Sequence, residues 1–142
     1  MRHLEAYVVV YVLDTNTLIT MLKGDGRVLA HLGRVAESSL RLSCVVLGEL
    51  MFGAQKSAYG AHNRARIAAL TQRLALLGID AETAAHYAHI RHALEVRGTP
   101  IGANDLWIAA QARSIGATLV THNEREFRRV DGLLLENWLA GG

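Results

Sequence analysis

With 142 residues, 51% of them hydrophobic and 20% charged, the chain is long enough to bury a core as a single domain over residues 1–142 and too apolar to be disordered. Its net charge is only +2, but thirteen of its fifteen cations are arginines, the better phosphate forks, with Lys23 and Lys56 the two lysines, so charge alone weakly favours a nucleic-acid partner. One cysteine, Cys44, excludes an intrachain disulfide and suits a reducing cytoplasm, and no apolar run approaches the ~18 residues of a membrane span.

The first predicted element is the apolar, β-branched run AYVVVYVL, read as a strand buried on both faces rather than a signal peptide, because it ends in Asp14 without a small-residue cleavage site. TNTLITMLKG reads as a helix stopped by Gly24, and GRVLAHLGRVA as a second short helix. LRLSCVV reads as the second strand, with Cys44 as a buried core thiol. The next helix, VVLGELMFGAQKS, holds one residue out of place. Glu49 shares its helical face with Val45, Val46, Phe52 and Gly53, none of which pairs with a carboxylate, while Met51 and Phe52 read as packing residues.

HNRARIAALTQRLALL reads as a long amphipathic helix with arginines on one side, followed by GID as a short strand or turn. AETAAHYAHIRHALEVR is a helix capped by Asp80. GTPIGAN, with the only proline, is a loop, and NDLWIAAQARSIG a helix ending at Gly116. ATLVTHN is a strand plus loop, EREFRRV a helical turn, and LLLEN a last short strand. This alternation predicts an α/β fold, a central mainly parallel sheet of four to five strands flanked by helices. Such sheets carry their sites at the carboxyl ends of strands, near a switch in strand order. Asp14, Glu49 and the group Thr121, His122 and Asn123 all fall there.

Four acids are candidates for one site: Asp14 after the first strand, Glu49, Asp105 at the start of its helix, and Glu126 in THNEREF. Each has a plainer role available, as helix cap, first-turn acid or surface ion-pair partner. Taken together, carboxylates from separate segments converging on one crevice need a divalent cation to offset their repulsion. Mg²⁺ and Mn²⁺ favour oxygen ligands, and such a site activates water for phosphoryl displacement, the chemistry of a metal-dependent nuclease.

The stretches VLDTNTLI, GELMFGAQKS, GTPIGANDLWIAAQA and GATLVTHNEREFRRVDGLLLENW resemble, in order and spacing from about Tyr7 to Leu139, the PIN-domain ribonucleases, and most of all the VapC toxins of bacterial toxin–antitoxin modules. The resemblance implies that Asp14, Glu49 and Asp105 form an acidic metal-binding core. Glu126 is read as its fourth acid and Asn123 as a supporting group. Asn16 and Thr121 match polar positions that support the first aspartate and the water network. It further implies an endoribonuclease toxin using Mg²⁺ or Mn²⁺ to cleave structured RNA, tRNA or rRNA, and so inhibit translation. A homodimer and a cognate antitoxin that blocks the crevice complete the expectation. A PIN-fold binding module without turnover and a DNA-directed nuclease are the competing readings.

Arg64, Arg66 and Arg73 on one helix, and Arg125, Arg128 and Arg129 near the last acid, are candidates to track RNA phosphates. His86, His89 and His92 lack a zinc-protease motif such as HExxH and read as a solvated face. Trp107 and Trp138 read as core or interface aromatics. The absence of GxxxxGK[ST] and GxGxxG argues against nucleotide-hydrolysing and dinucleotide folds, and the absence of lysine after Lys56 against a receiver-type phosphoacceptor.

Overall fold

The computed structural model describes residues 8–139. Five parallel strands form one sheet in the order β3-β2-β1-β4-β5: β1 (Tyr11–Leu13), β2 (Leu40–Ser43), β3 (Ala75–Leu77), β4 (Thr118–Val120) and β5 (Leu134–Glu136). Helices α1 (Thr15–Leu22) and α2 (Gly26–Leu32) join β1 to β2, α3 (Cys44–Lys56) and α4 (Gly60–Arg73) join β2 to β3, and α5 (Ala81–Val96) and α6 (Ala103–Ser114) join β3 to β4. The short α7 (Glu124–Phe127) precedes β5. The helices pack along the sheet, α1 on α2 and α3, α3 on α4, and α5 on α6.

The core is continuous through the middle strands, where Val12, Leu42 and Leu119 have no exposed surface, and it closes over Phe127 and Trp138. The edge strands are short and expose Leu76 and Leu134, one on each side. Local signals set the helix limits. Asp14, Asp25, Ser43 and Asp80 each accept bonds from backbone N–H groups of the helix that follows. Gly24 and Gly116 end α1 and α6 with φ of 82° and 66°, a left-handed conformation that costs glycine little.

Three predicted boundaries shift. The first strand is limited to Tyr11–Leu13, the span that β2 and β4 pair with, and Val8 and Val9 lie exposed; Ala6 and Tyr7 fall outside the described residues. The second strand ends at Ser43, whose hydroxyl caps α3, so Cys44, Val45 and Val46 are helical and Cys44 is half-buried rather than a core thiol. The long amphipathic helix stops at Arg73, and its last residues, Ala75–Leu77, pair with β2 as β3, leaving GID outside any strand. Leu70, Leu74 and Leu77 lie on the same turn-spaced series, so helical periodicity alone hides that break.

Candidate active site

Strand order reverses at β1, which sends the chain to β2 and β3 on one side and to β4 and β5 on the other. The crevice between the carboxyl ends of β1 and β4 is therefore the switch point. Asp14 closes β1 there, 6% exposed, and its backbone N–H donates to the Val120 carbonyl at 3.0 Å. Both carboxylate oxygens are held. Oδ1 accepts from the Thr17 backbone N–H at 3.0 Å, the capping bond of α1, and Oδ2 accepts from the Thr121 hydroxyl at 2.5 Å. Capping and site placement are thus two uses of one side chain. Thr17 in turn donates its hydroxyl to the Val120 carbonyl, which ties α1 to β4.

From the other side comes α3. Ser43, fully buried, accepts from the Val45 and Val46 N–H groups and donates to Gln111 Oε1 at 2.5 Å. Gln111, equally buried on α6, donates to the Leu77 and Gly78 carbonyls at 3.0 and 3.1 Å. This knot fixes the start of α3, the end of β3 and the middle of α6 together, and so places Glu49 and Asp105 relative to one another. Glu49 is half-buried, and its partners come from other elements. The Thr15 hydroxyl donates to Oε1, and Asn104 Nδ2 donates to Oε2 at 3.2 Å. The face of α3 itself offers Glu49 no partner, as its sequence indicates, and both donors come from other helices, α1 and α6.

Asp105 lies in the first turn of α6, beside Glu49's partner Asn104. Its carboxyl is pushed up to about 6 from the usual 3.8, first by burial and then by the charges of Glu126, Glu49 and Asp14. Glu126, on α7, accepts from Asn123 Nδ2, and the Asn123 backbone N–H donates to Thr121 Oγ1 at 2.9 Å. A chain of polar contacts thus runs from Asp14 through Thr121 and Asn123 to Glu126. Asn16 is exposed, and its carbonyl accepts the Thr20 hydroxyl. His122 follows Thr121, with Nε2 buried and without a hydrogen-bond partner among the described residues.

The four carboxylates are all oxygen donors, drawn from four separate segments and close enough to raise the proton affinity of Asp105. Among the described residues no three His, Cys, Asp or Glu side chains are gathered tightly enough to cage an ion unaided. An open acidic ring of this kind fits a hard cation that keeps several waters, as Mg²⁺ does, better than a closed all-protein cage. Two of the three histidines of α5 are engaged elsewhere: Arg113 Nε donates to His86 Nδ1 at 2.8 Å, and Arg113 Nη2 lies 3.4 Å from His89 Nδ1.

The candidate arginines divide. Arg64 and Arg125 are exposed, Arg128 pairs with Glu124 at 3.3 Å, and Arg66 donates to the Leu22 carbonyl while lining a cavity of about 330 Å³ shared with Glu49. Arg73 pairs with Glu37, and Arg129 donates to the Pro100 carbonyl at 3.0 Å. Trp138 is buried against Tyr11 and His31, and Trp107 stacks on Tyr87 at 3.8 Å. Sequence reasoning missed Thr15, Asn104, Ser43 and Gln111. Thr15 and Asn104 had a readable signal, each adjoining a candidate acid, and Ser43 had one as a helix-capping residue type, but its bond to Gln111, 68 residues away, had none. Met51 and Phe52 are 53% and 63% exposed, which corrects their reading as packing residues.

The PIN domain matches residues 11–133. Ribonuclease VapC2 of Haemophilus influenzae is 41% identical over 131 residues, covering 91% of this chain and 98% of that protein. The tRNA(fMet)-specific endonuclease VapC of Salmonella typhimurium is 37% identical over 128 residues, covering 90% of this chain and 97% of the relative. Among solved structures, the VapBC2 complex of Rickettsia felis bound to a promoter DNA fragment aligns with a TM-score of 0.86 at 35% identity, covering 92% of this chain and 99% of that one. Sheet, acidic crevice and sequence agree: this chain belongs to the PIN-domain family, among the VapC ribonucleases.

Proposed function

We propose that this chain is a divalent-metal-dependent endoribonuclease toxin. It cleaves structured RNA, tRNA or rRNA, to inhibit translation in the cytoplasm, acts as a homodimer, and is neutralised by a cognate antitoxin. The observation that carries the reading is the convergence of Asp14, Glu49, Asp105 and Glu126 at the switch point, expressed in the raised proton affinity of Asp105. The relatives named as ribonucleases support RNA as substrate, and the VapBC complexes support an antitoxin partner. No described helix is long and apolar enough to cross a membrane.

Asp14, Glu49, Asp105 and Glu126 would hold Mg²⁺ or Mn²⁺, which when bound supplies an activated water and charge stabilisation at the phosphoryl oxygens. The chain's own residues orient that set. Thr121 and Thr17 fix the two oxygens of Asp14, Thr15 and Asn104 fix Glu49, and Asn123 fixes Glu126. Burial and the neighbouring carboxylates hold the Asp105 carboxyl up at about 6, so its ionised form is the one a bound cation would favour. Asn16 completes the supporting polar groups. Arg64 and Arg66 on α4, with Arg125 and Arg128 at α7, contact RNA phosphates on either side of the crevice, so binding weakens as salt rises.

The test is incubation of a structured-RNA pool with the protein, with and without Mg²⁺ or Mn²⁺, beside Asp105→Asn. Discrete metal-dependent products absent from the variant are expected. Binding without turnover would sink the nuclease in favour of a binding module, and cleavage of DNA in place of RNA would reassign the substrate.

A further inference from the structure

We propose that Arg97 and Arg129 are positioning residues for the acidic site, a crossed clasp that holds the loop leading to Asp105 against the segment carrying Glu126. The inference rests on the nuclease reading above and adds what sets the separation of two of its four acids. Neither acid-bearing segment is fixed by its own start. α6, with Asp105 in its first turn, begins at Gly102, which has no side chain to cap it. α7, with Glu126, has four residues, and Asn123 at its start makes no side-chain bond to its backbone N–H groups. A helix start left uncapped takes its place from what bonds or packs across it.

The clasp has two arms that run in opposite directions. Arg97, closing α5, donates Nη2 to the Arg129 carbonyl, and its Nη1 lies 3.6 Å from Asp131 Oδ2. Arg129 donates Nη1 back to the Pro100 carbonyl at 3.0 Å. Among the described residues, these two side chains supply every hydrogen bond between residues 97–105 and residues 121–131. Each arm ends close to an acid. Pro100 lies five residues before Asp105, and Arg129 lies three after Glu126, whose carbonyl accepts the Arg129 backbone N–H at 3.1 Å. The link from Pro100 to α6 is short and stiff: the proline ring fixes φ, Ile101 is buried, and the Gly102 carbonyl accepts the Leu106 N–H at 2.9 Å. A displaced Pro100 therefore displaces the first turn of α6. Arg129 forms no ion pair among the described residues, so its guanidinium serves a neutral carbonyl as a tether rather than an acid as a counter-charge. Burial and three carboxylates set the proton affinity of Asp105, with no cation among the causes. Arg129 thus acts on the site through placement.

The experiment titrates Mn²⁺ into the metal-free protein, following the electron paramagnetic resonance of the free ion, with urea unfolding recorded for every variant. The sign of the change is diagnostic. An arginine that acts by charge repels the ion, so its removal strengthens Mn²⁺ binding; one that positions the acids weakens binding when removed. Arg129→Ala and Arg97→Ala are each expected to weaken Mn²⁺ binding by about tenfold, and Arg129→Lys, whose ammonium still donates to a carbonyl, by less. The Mn²⁺ concentration for half-maximal RNA cleavage is expected to shift by the same factor. Arg91→Ala, which removes an exposed cation of α5 paired with Glu95, should leave the affinity unchanged. Arg97→Ala decides the matter where Arg129→Ala does not fold. Mn²⁺ affinity equal to the parent's, or tighter, in a folded alanine variant overturns the clasp. So does a loss of affinity no larger than the unfolded fraction accounts for. Parent binding that Asp105→Asn does not weaken places the ion elsewhere and sinks the nuclease reading itself, and the clasp with it.

Discussion

At the first turn of α6, Asp105 must ionise beside three other carboxylates, and this sets how the metal-free protein answers to pH. Its folded value is raised to about 6 from 3.8, so between those values the native state holds a proton that the unfolded chain has released. Stability therefore falls as pH rises through that window, and the penalty is complete above it. Allowing for solvent screening at a half-buried carboxyl, the penalty is roughly 1 kcal/mol. In urea unfolding with chelator present, Asp105→Asn should be more stable than the parent by that amount near about pH 7.5, with the gap closing towards about pH 4. A gap that does not change with pH would assign it to packing instead. Glu49→Gln is expected to keep an acceptor for the Thr15 hydroxyl and, with the Asn104 amide turned to present its oxygen, a donor for Asn104, and hence the fold, yet lower cleavage by about a hundredfold or more as it removes a charge from the acidic set. Single-turnover cleavage beside a thermal melt distinguishes that outcome from a structural role, in which melting falls and activity is retained.

At the scale of elements, the start of α3 depends on a capping serine whose second partner no sequence pattern announces. Ser43 caps two N–H groups and binds Gln111, both side chains out of contact with water. Ser43→Ala strands both the helix N–H groups and the Gln111 oxygen, and should cost about 2 kcal/mol in urea unfolding. A loss under about 0.5 kcal/mol would show that the helix start is held by packing alone. The helices were legible because caps and glycine stops act within one turn: Asp80 was read as the cap of α5, and Gly24 and Gly116 as stops, and each holds that place. The strands were less so. AYVVVYVL has the composition of a long strand, but only the residues that β2 and β4 reach become one. In the same way the apolar series of α4 runs on into β3 because alternate and turn-spaced leucines satisfy both periods.

For the whole molecule, the decisive relation is that four acids from distant segments share one crevice without closing into a cage. A cation that binds only the folded ring stabilises it in proportion to the logarithm of its concentration over Kd. Adding Mn²⁺ at about a hundredfold over Kd should raise the stability of the parent by roughly 2.7 kcal/mol, and that of Asp105→Asn by much less. Equal stabilisation of both proteins would place the ion elsewhere. The acids themselves were legible in the sequence, as was their position after strands and in first helical turns, because those are local facts. Asp14 to Thr121, at a separation of 107 residues, Glu49 to Asn104, at 55, and Thr15 to Glu49, at 34, were not. The sequence by itself determined the alternation of strands and helices, the caps, and the segments that carry the acids, since each depends on neighbours within a few residues. Which of those segments meet, how Glu49 is partnered, and that Phe52 faces outward beside it were decided only by the strand order β3-β2-β1-β4-β5, because that order sets which chain ends lie side by side.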